Sequence, residues 1–184
     1  YTIAHDADEF RTKYAAMQRW DDAPIVQEQV VGPGEGVDLL LGRDSELLCA
    51  LCHRRIREYP VTGGPSTCCV SFYDEELIAA AHRLLASFGF VGMAMVELKG
   101  GRVLEVNPRV WGSFPLTDRC GSPYTVLYAR AAAGEPVEYT PRDFRTGVKL
   151  RFLFNDGLAT LGYCRAGRLR EALGGVRDFF TVPE

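Results

Sequence analysis

Long apolar runs are missing from this chain. A bilayer-crossing helix needs roughly 18 consecutive apolar residues, and no stretch approaches that, so no membrane span is expected. Basic blocks are missing as well. The 21 lysines and arginines are scattered among 24 acidic residues, for a net charge of −3. Nucleic-acid binders draw much of their affinity from phosphate neutralisation, so that class is disfavoured. No cationic stretch followed by an apolar one opens the chain, and a cytoplasmic setting is the expectation. Methionine is missing from position 1, where Tyr1 stands, so the chain is expected to be processed, excised or partial. Internal repeats and low-complexity segments are absent too, which excludes solenoid and fibrous arrays.

What is present reads as an ordinary globular composition: 184 residues, 47% apolar and 24% charged, enough for one sizeable domain or two small ones. The six cysteines are read as reduced, structural thiols. Two of them invite a rival reading, because CALCH (Cys49 to His53) matches the C-x-x-C-H pattern of haem attachment. The motif lies in a strand-like run, which sends Cys49 and Cys52 to opposite faces and argues against it. No second cysteine or histidine pair is spaced to complete a zinc site.

Periodicity predicts a helix over 6–20, capped by Asp6 or Asp8, with Phe10, Tyr14 and Met17 at helical spacing. Strand alternation follows over 24–31, GPGEG reads as a turn, 37–41 as a strand, GRDS as a second turn and 46–57 as a longer strand. Residues 59–67 read as a loop and 74–88 as a helix with Asp74 at its N-cap. Strands are expected over 91–98 and 103–106 around the tight turn KGGR, a helix over 122–133, a strand over 148–154 and short helices from 157 onward. The sum is α+β, a mostly antiparallel sheet flanked by helices.

The chemistry concentrates in MVELKGGRVLEVNPRVWGS. The turn folds Glu97 back towards Glu105 and Asn107, which are two apart and share a strand face. Three oxygen donors then converge, as a hard cation such as magnesium requires. Arg109 keeps the same parity through Pro108, and its guanidinium suits a bidentate grip on phosphate or carboxylate. On alternation alone, a solvated hairpin with its acids outside is the competing reading; the Asn-Pro-Arg trio argues against it. Upstream, His53, Arg55 and Arg57 share one strand face while Arg54 points the other way. Such grouped cations are expected either to hold an anion or to form a solvated basic edge.

This hairpin resembles the metal-binding hairpin of the ATP-grasp superfamily, in its carbamoyl-phosphate-synthase and biotin-carboxylase branch. The resemblance covers roughly residues 1–155. It implies that Glu97, Glu105 and Asn107 hold magnesium (two ions, manganese as a substitute) against the phosphates of ATP, and that Arg109 holds the reacting carboxylate or acyl-phosphate. By the same likeness, VQEQVVGPGEGVDLL is similar to the adenine hinge. The backbone of Glu28, Gln29 and Val30 would meet the adenine edge, and Glu35, or failing that Asp38, the ribose hydroxyls. His53, Arg55 and Arg57 would face the triphosphate, Arg55 with a catalytic part. The TGGPST loop resembles a mobile loop near the transferred phosphate, and Trp111, Gly112 and Ser113 would line the acceptor pocket.

The family's two lysines and glycine-rich lid loop normally come earlier and are not found here. The resemblance therefore implies the C-terminal part of an ATP-grasp module: residues 1–31 as the end of the lid subdomain with the adenine hinge, residues 32–184 as the catalytic subdomain with a divergent tail. The implied function is an ATP- and magnesium-dependent carboxylate–amine ligase acting through an acyl-phosphate, incomplete for catalysis in this fragment. Its partners are small-molecule carboxylate and amine substrates and the upstream segment of the same polypeptide, with a homodimer compatible. A nucleotide-binding relic or a structural module without catalysis is the alternative.

Overall fold

The computed structural model describes residues 1–137 and 142–181. Two compact units divide it, residues 1–31 and 32–184. The first unit holds one helix, α1 (Ala7–Met17), capped as expected by Asp6, whose side chain accepts from the backbone N–H groups of Asp8 and Glu9. The strand expected over 24–31 is not formed; that segment is irregular. Its alternation is real, but the unit contains no second strand to satisfy the backbone groups, and alternation alone does not make a strand.

The second unit is built on a six-stranded sheet in the order β5-β4-β1-β2-β3-β6, every described pair antiparallel. The central strand β1 (Gly34–Leu41) starts earlier than its apolar run predicts and takes in most of GPGEG, which therefore is not a turn. Its run VDLLL is apolar on both faces because both are covered. Val37, Leu39 and Leu41 pack with Ile78, Ala81 and Leu85 of α2 (Glu75–Ala86). Leu40 packs on the opposite side with Trp111, Leu116, Tyr124 and Leu127. These belong to the segment after the sheet's far hairpin, to α3 (Pro115–Arg119) and to α4 (Tyr124–Ala133).

β2 (Leu47–Glu58) carries the CALCH run. Cys52 joins the α2-side core and Cys49 the opposite one, so the two thiols do face apart. All six cysteines are free. Burial pushes the thiols of Cys49, Cys52 and Cys69 up to about 12, which makes them inert packing groups.

β3 (Ser66–Phe72) begins inside the segment read as a loop. β4 (Gly92–Lys99) and β5 (Arg102–Asn107) form the expected hairpin. β6 is only Lys149–Arg151, because the chain turns into α5 (Leu153–Arg165) where 148–154 had been read as continuous strand. The tail is two full helices, α5 and α6 (Leu169–Phe180). A buried ion network pins it to the sheet. Arg57 donates to Asp156 at 2.7 and 2.8 Å and to Asp178 at 2.9 Å, and Arg151 reaches Asp156 at 2.8 Å. Among the described residues no helix is long and apolar enough to cross a membrane.

Candidate active site

The site is a row of residues across four strands. Glu105 pairs with Glu97, Glu97 with Gly36, and Gly36 with His53. Directly paired residues of antiparallel strands project from the same face, so these groups stand side by side on the α4 side of the sheet. The next row adds Asn107, Met95, Asp38 and Leu51 on that face.

A bulge makes this row. Gly100 and Gly101 have φ of +54° and +77°, the left-handed pair that a two-residue hairpin turn requires, and Lys99 faces Arg102 across it. A regular hairpin would then place Leu104 opposite Glu97 and turn Glu105 to the other face. The register instead shifts between Glu97 and Leu98, one extra residue enters β5, and Glu105 comes opposite Glu97.

From there the side chains form a relay. Asn107 Nδ2 donates to Glu105 at 2.8 Å, and an Arg109 guanidinium N–H donates to Asn107 Oδ1 at 3.0 Å. Arg55 donates to Glu97 at 2.8 Å and to Glu58 at 3.2 Å. A cavity of about 330 Å³ lies over the row, lined by His53, Arg55, Glu97, Glu105, Asn107 and Arg109. The loop Trp111–Ser113 and residues Gly64, Pro65 and Ser66 of the TGGPST loop complete its wall. Gly36 forms part of the floor because nothing larger fits: a Cβ there would lie 2.2 Å from His53 Cε1.

The donor set suits a hard divalent cation: two carboxylates and an amide oxygen on adjacent strands, beside a cavity open to solvent. Among the described residues no group of three or more His, Cys, Asp or Glu side chains is set for a metal, so the set depends on Asn107 as its third ligand.

Three expected ligands have their side chains engaged within the protein, although Glu35 borders the cavity. Glu35 is on the opposite face, where Arg54 donates to it at 2.8 Å; it cannot turn to a nucleotide over the row without abandoning that ion pair. Asp38, the fallback for the ribose, is fully buried against His53. Arg57 leaves the His53–Arg55 face because a bulge between Arg55 and Arg57 interrupts the alternation, and its charge is spent on Asp156 and Asp178. The grouped cations therefore do not require a phosphate, since Arg54, Arg55 and Arg57 each have internal carboxylates. Glu28, Gln29 and Val30 lie in the irregular segment of the first unit.

Sequence reading missed one further cluster. His53 Nδ1 lies 3.2 Å from Asp38 Oδ2, and His53 Nε2 lies 3.0 Å from Ser113 Oγ. Burial pushes the Asp38 carboxyl above its ordinary value, and His53 beside it acts in the opposite sense.

No family model and no curated protein matches the sequence. Solved structures do match. The biotin carboxylase domain of a thermophilic 2-oxoglutarate carboxylase bound to bicarbonate superposes with a TM-score of 0.64 at 14% identity, over 80% of this chain and 37% of that one. This chain has the ATP-grasp fold of the biotin carboxylases. The Hydrogenobacter thermophilus 2-oxoglutarate carboxylase domain, in complex with MgADP, ADP and bicarbonate, gives 0.58 at 13% identity, over 77% of this chain and 35% of that one. Campylobacter jejuni biotin carboxylase, in a β,γ-ATP complex, gives 0.56 at 10%, over 77% and 34%. The ATP-grasp likeness thus spans just over a third of those chains. At such identity it is a likeness of fold, and the chemistry has to be argued from the residues.

Proposed function

We propose that the chain is the metal-and-acceptor part of an ATP-dependent carboxylate ligase, with an amine as the acceptor. The observation that carries this is the Glu105–Asn107–Arg109 relay beside Glu97, on the floor of the cavity, in an ATP-grasp fold. Glu97, Glu105 and Asn107 would hold magnesium, in one or two ions, with manganese able to replace it; the metal, when bound, neutralises charge on the transferring phosphoryl group. Arg55 would release Glu97 and turn to the phosphates. Arg109 would grip the carboxylate while it attacks the γ-phosphoryl group and hold the acyl-phosphate while the amine displaces phosphate. His53 borders the same space. The hinge backbone of Glu28 to Val30 would meet adenine once a neighbouring strand from an upstream segment of the same polypeptide pairs with it. A cytoplasmic setting and a homodimer are compatible with this reading.

One observation favours a second reading. Arg55 already neutralises Glu97, which suits a module that holds nucleotide without turning it over. Calorimetric titration of a non-hydrolysable ATP analogue, with and without magnesium, separates the readings. The ligase reading expects magnesium to tighten binding by at least about tenfold, roughly 1.4 kcal/mol, and Glu105→Gln to abolish that gain. Equal affinity in both conditions, unchanged by Glu105→Gln, contradicts it and leaves the nucleotide-holding module.

A further inference from the structure

Ser113, His53 and Asp38 form a hydrogen-bonded series that the ligase chemistry does not use. The series is buried at one end and borders the cavity at the other. Asp38 is fully buried, His53 is 6% exposed and Ser113 is 7% exposed, and both His53 and Ser113 line the cavity. One tautomer serves both contacts in the order a nucleophile needs. With Asp38 ionised and His53 neutral, His53 Nδ1 donates to Asp38 Oδ2 across 3.2 Å, since a carboxylate oxygen only accepts. Nε2 is then the acceptor, and Ser113 Oγ donates to it at 3.0 Å.

The surroundings hold this order. The Tyr124 hydroxyl donates to the Asp38 carbonyl at 2.7 Å, fixing the backbone that presents the carboxylate. The second oxygen, Asp38 Oδ1, has no hydrogen-bond partner among the described residues, and the Trp111 indole N–H lies near the carboxylate without completing a bond. The His53 ring rests on Gly36, so it cannot shift towards the sheet. A base that abstracts a hydroxyl proton, oriented by a buried carboxylate, is the arrangement that activates serine nucleophiles, and it is recognised by geometry, not by chain order.

We propose that Ser113 is an activated nucleophile for small activated acyl groups, aryl esters or acyl phosphates, entering the 330 Å³ cavity. Ser113 Oγ attacks the acyl carbon and its proton passes to His53 Nε2. The Oγ–C bond forms, the bond to the leaving aryloxide or phosphate breaks, and His53 returns the proton to the leaving group. Water, deprotonated by the same nitrogen, then attacks the acyl carbon, the Oγ–C bond breaks to give the free acid, and His53 returns the proton to Ser113 Oγ. Arg109 lines the cavity and would supply positive charge for the oxyanion. This activity needs neither nucleotide nor metal, so it stands or falls apart from the ligase reading.

The test is covalent labelling of the whole chain in the presence of a chelator and without nucleotide. A fluorophosphonate should give one adduct per chain, located on Ser113 by peptide mass spectrometry. p-Nitrophenyl acetate and acetyl phosphate should each leave a transient acetyl group there. His53→Gln should slow labelling by at least about 100-fold, the scale of lost general-base assistance. Absence of an adduct on Ser113 in the wild-type chain overturns the proposal, whatever the variants do. So does labelling of Ser113 at an equal rate in folded His53→Gln.

Discussion

Gly36 shows how much a single position decides. It sits in the middle of the site row, under the His53 ring, and a methyl group there would lie 2.2 Å from Cε1 and 2.6 Å from Nε2. The ring is held by Asp38 and Ser113 and has no free direction. Gly36→Ala is therefore expected to cost about 1–3 kcal/mol by overpacking, read as a lowered midpoint in urea unfolding. It should also release Ser113 from His53. Little of this was legible in the sequence. Asp38 and His53 are 15 positions apart and His53 and Ser113 are 60 apart, so no local spacing announces the series. Glu105, Asn107 and Arg109 were legible because their contacts are two residues apart along the chain.

At the scale of elements, the β4–β5 bulge is the device that brings Glu105 opposite Glu97. Leu104 is 45% exposed on an edge strand, so its removal should be tolerated. Deleting Leu104 removes the extra residue, keeps Glu105 opposite Glu97, and should leave magnesium-dependent nucleotide binding within about threefold. Deleting Val106 puts Glu105 and Asn107 in neighbouring positions on opposite faces and should abolish it. Titration of both variants checks the contrast; equal loss in both would remove the bulge from the account.

The same element marks where reading from sequence worked and where it stopped. KGGR and its flanking runs gave the hairpin, since two glycines at a two-residue turn have a single strong reading. The bulge has no such signature. β3 was not read as a strand: its first two residues fell in the loop assigned by composition to 59–67, the rest went unassigned, and STCCVSF, buried along most of its length, carries no alternation to mark it. The strand expected over 148–154 ended at Arg151, because Asp156 draws the chain into α5 and under Arg57 and Arg151. The strand expected over 24–31 needed a partner that residues 1–31 do not contain.

Across the second unit, the sheet core and the α5–α6 tail are joined by charge. Arg57→Ala leaves the fully buried Asp156 with a lost partner and is expected to destabilise by about 3–5 kcal/mol. The network also sets the response to acid. Burial alone would push Asp156 and Asp178 up, but hydrogen bonds from Arg57 and Arg151 to the first, and from Lys149 and Arg57 to the second, outweigh it and hold both carboxyls below their ordinary value. A carboxyl lowered in the folded state contributes stability that is fully present above its unfolded value, near about 3.9, and is lost as pH falls through the folded value. Hydrogen-exchange protection factors in α5 and α6, taken relative to the intrinsic rate at each pH, should therefore stay high at neutral pH and fall only below about pH 4. Asp178→Asn should flatten that acid limb, and an unchanged limb would mean that other groups carry it.

The central claim is that Glu97, Glu105 and Asn107 share one divalent ion. Anomalous diffraction from crystals grown with manganese and a non-hydrolysable ATP analogue tests it most directly. The account predicts a manganese peak within coordination distance of the Glu105 and Asn107 side-chain oxygens, with Arg55 drawn off Glu97 towards the phosphates. Nucleotide bound with no metal at that row, and the Arg55–Glu97 pair intact, would contradict it.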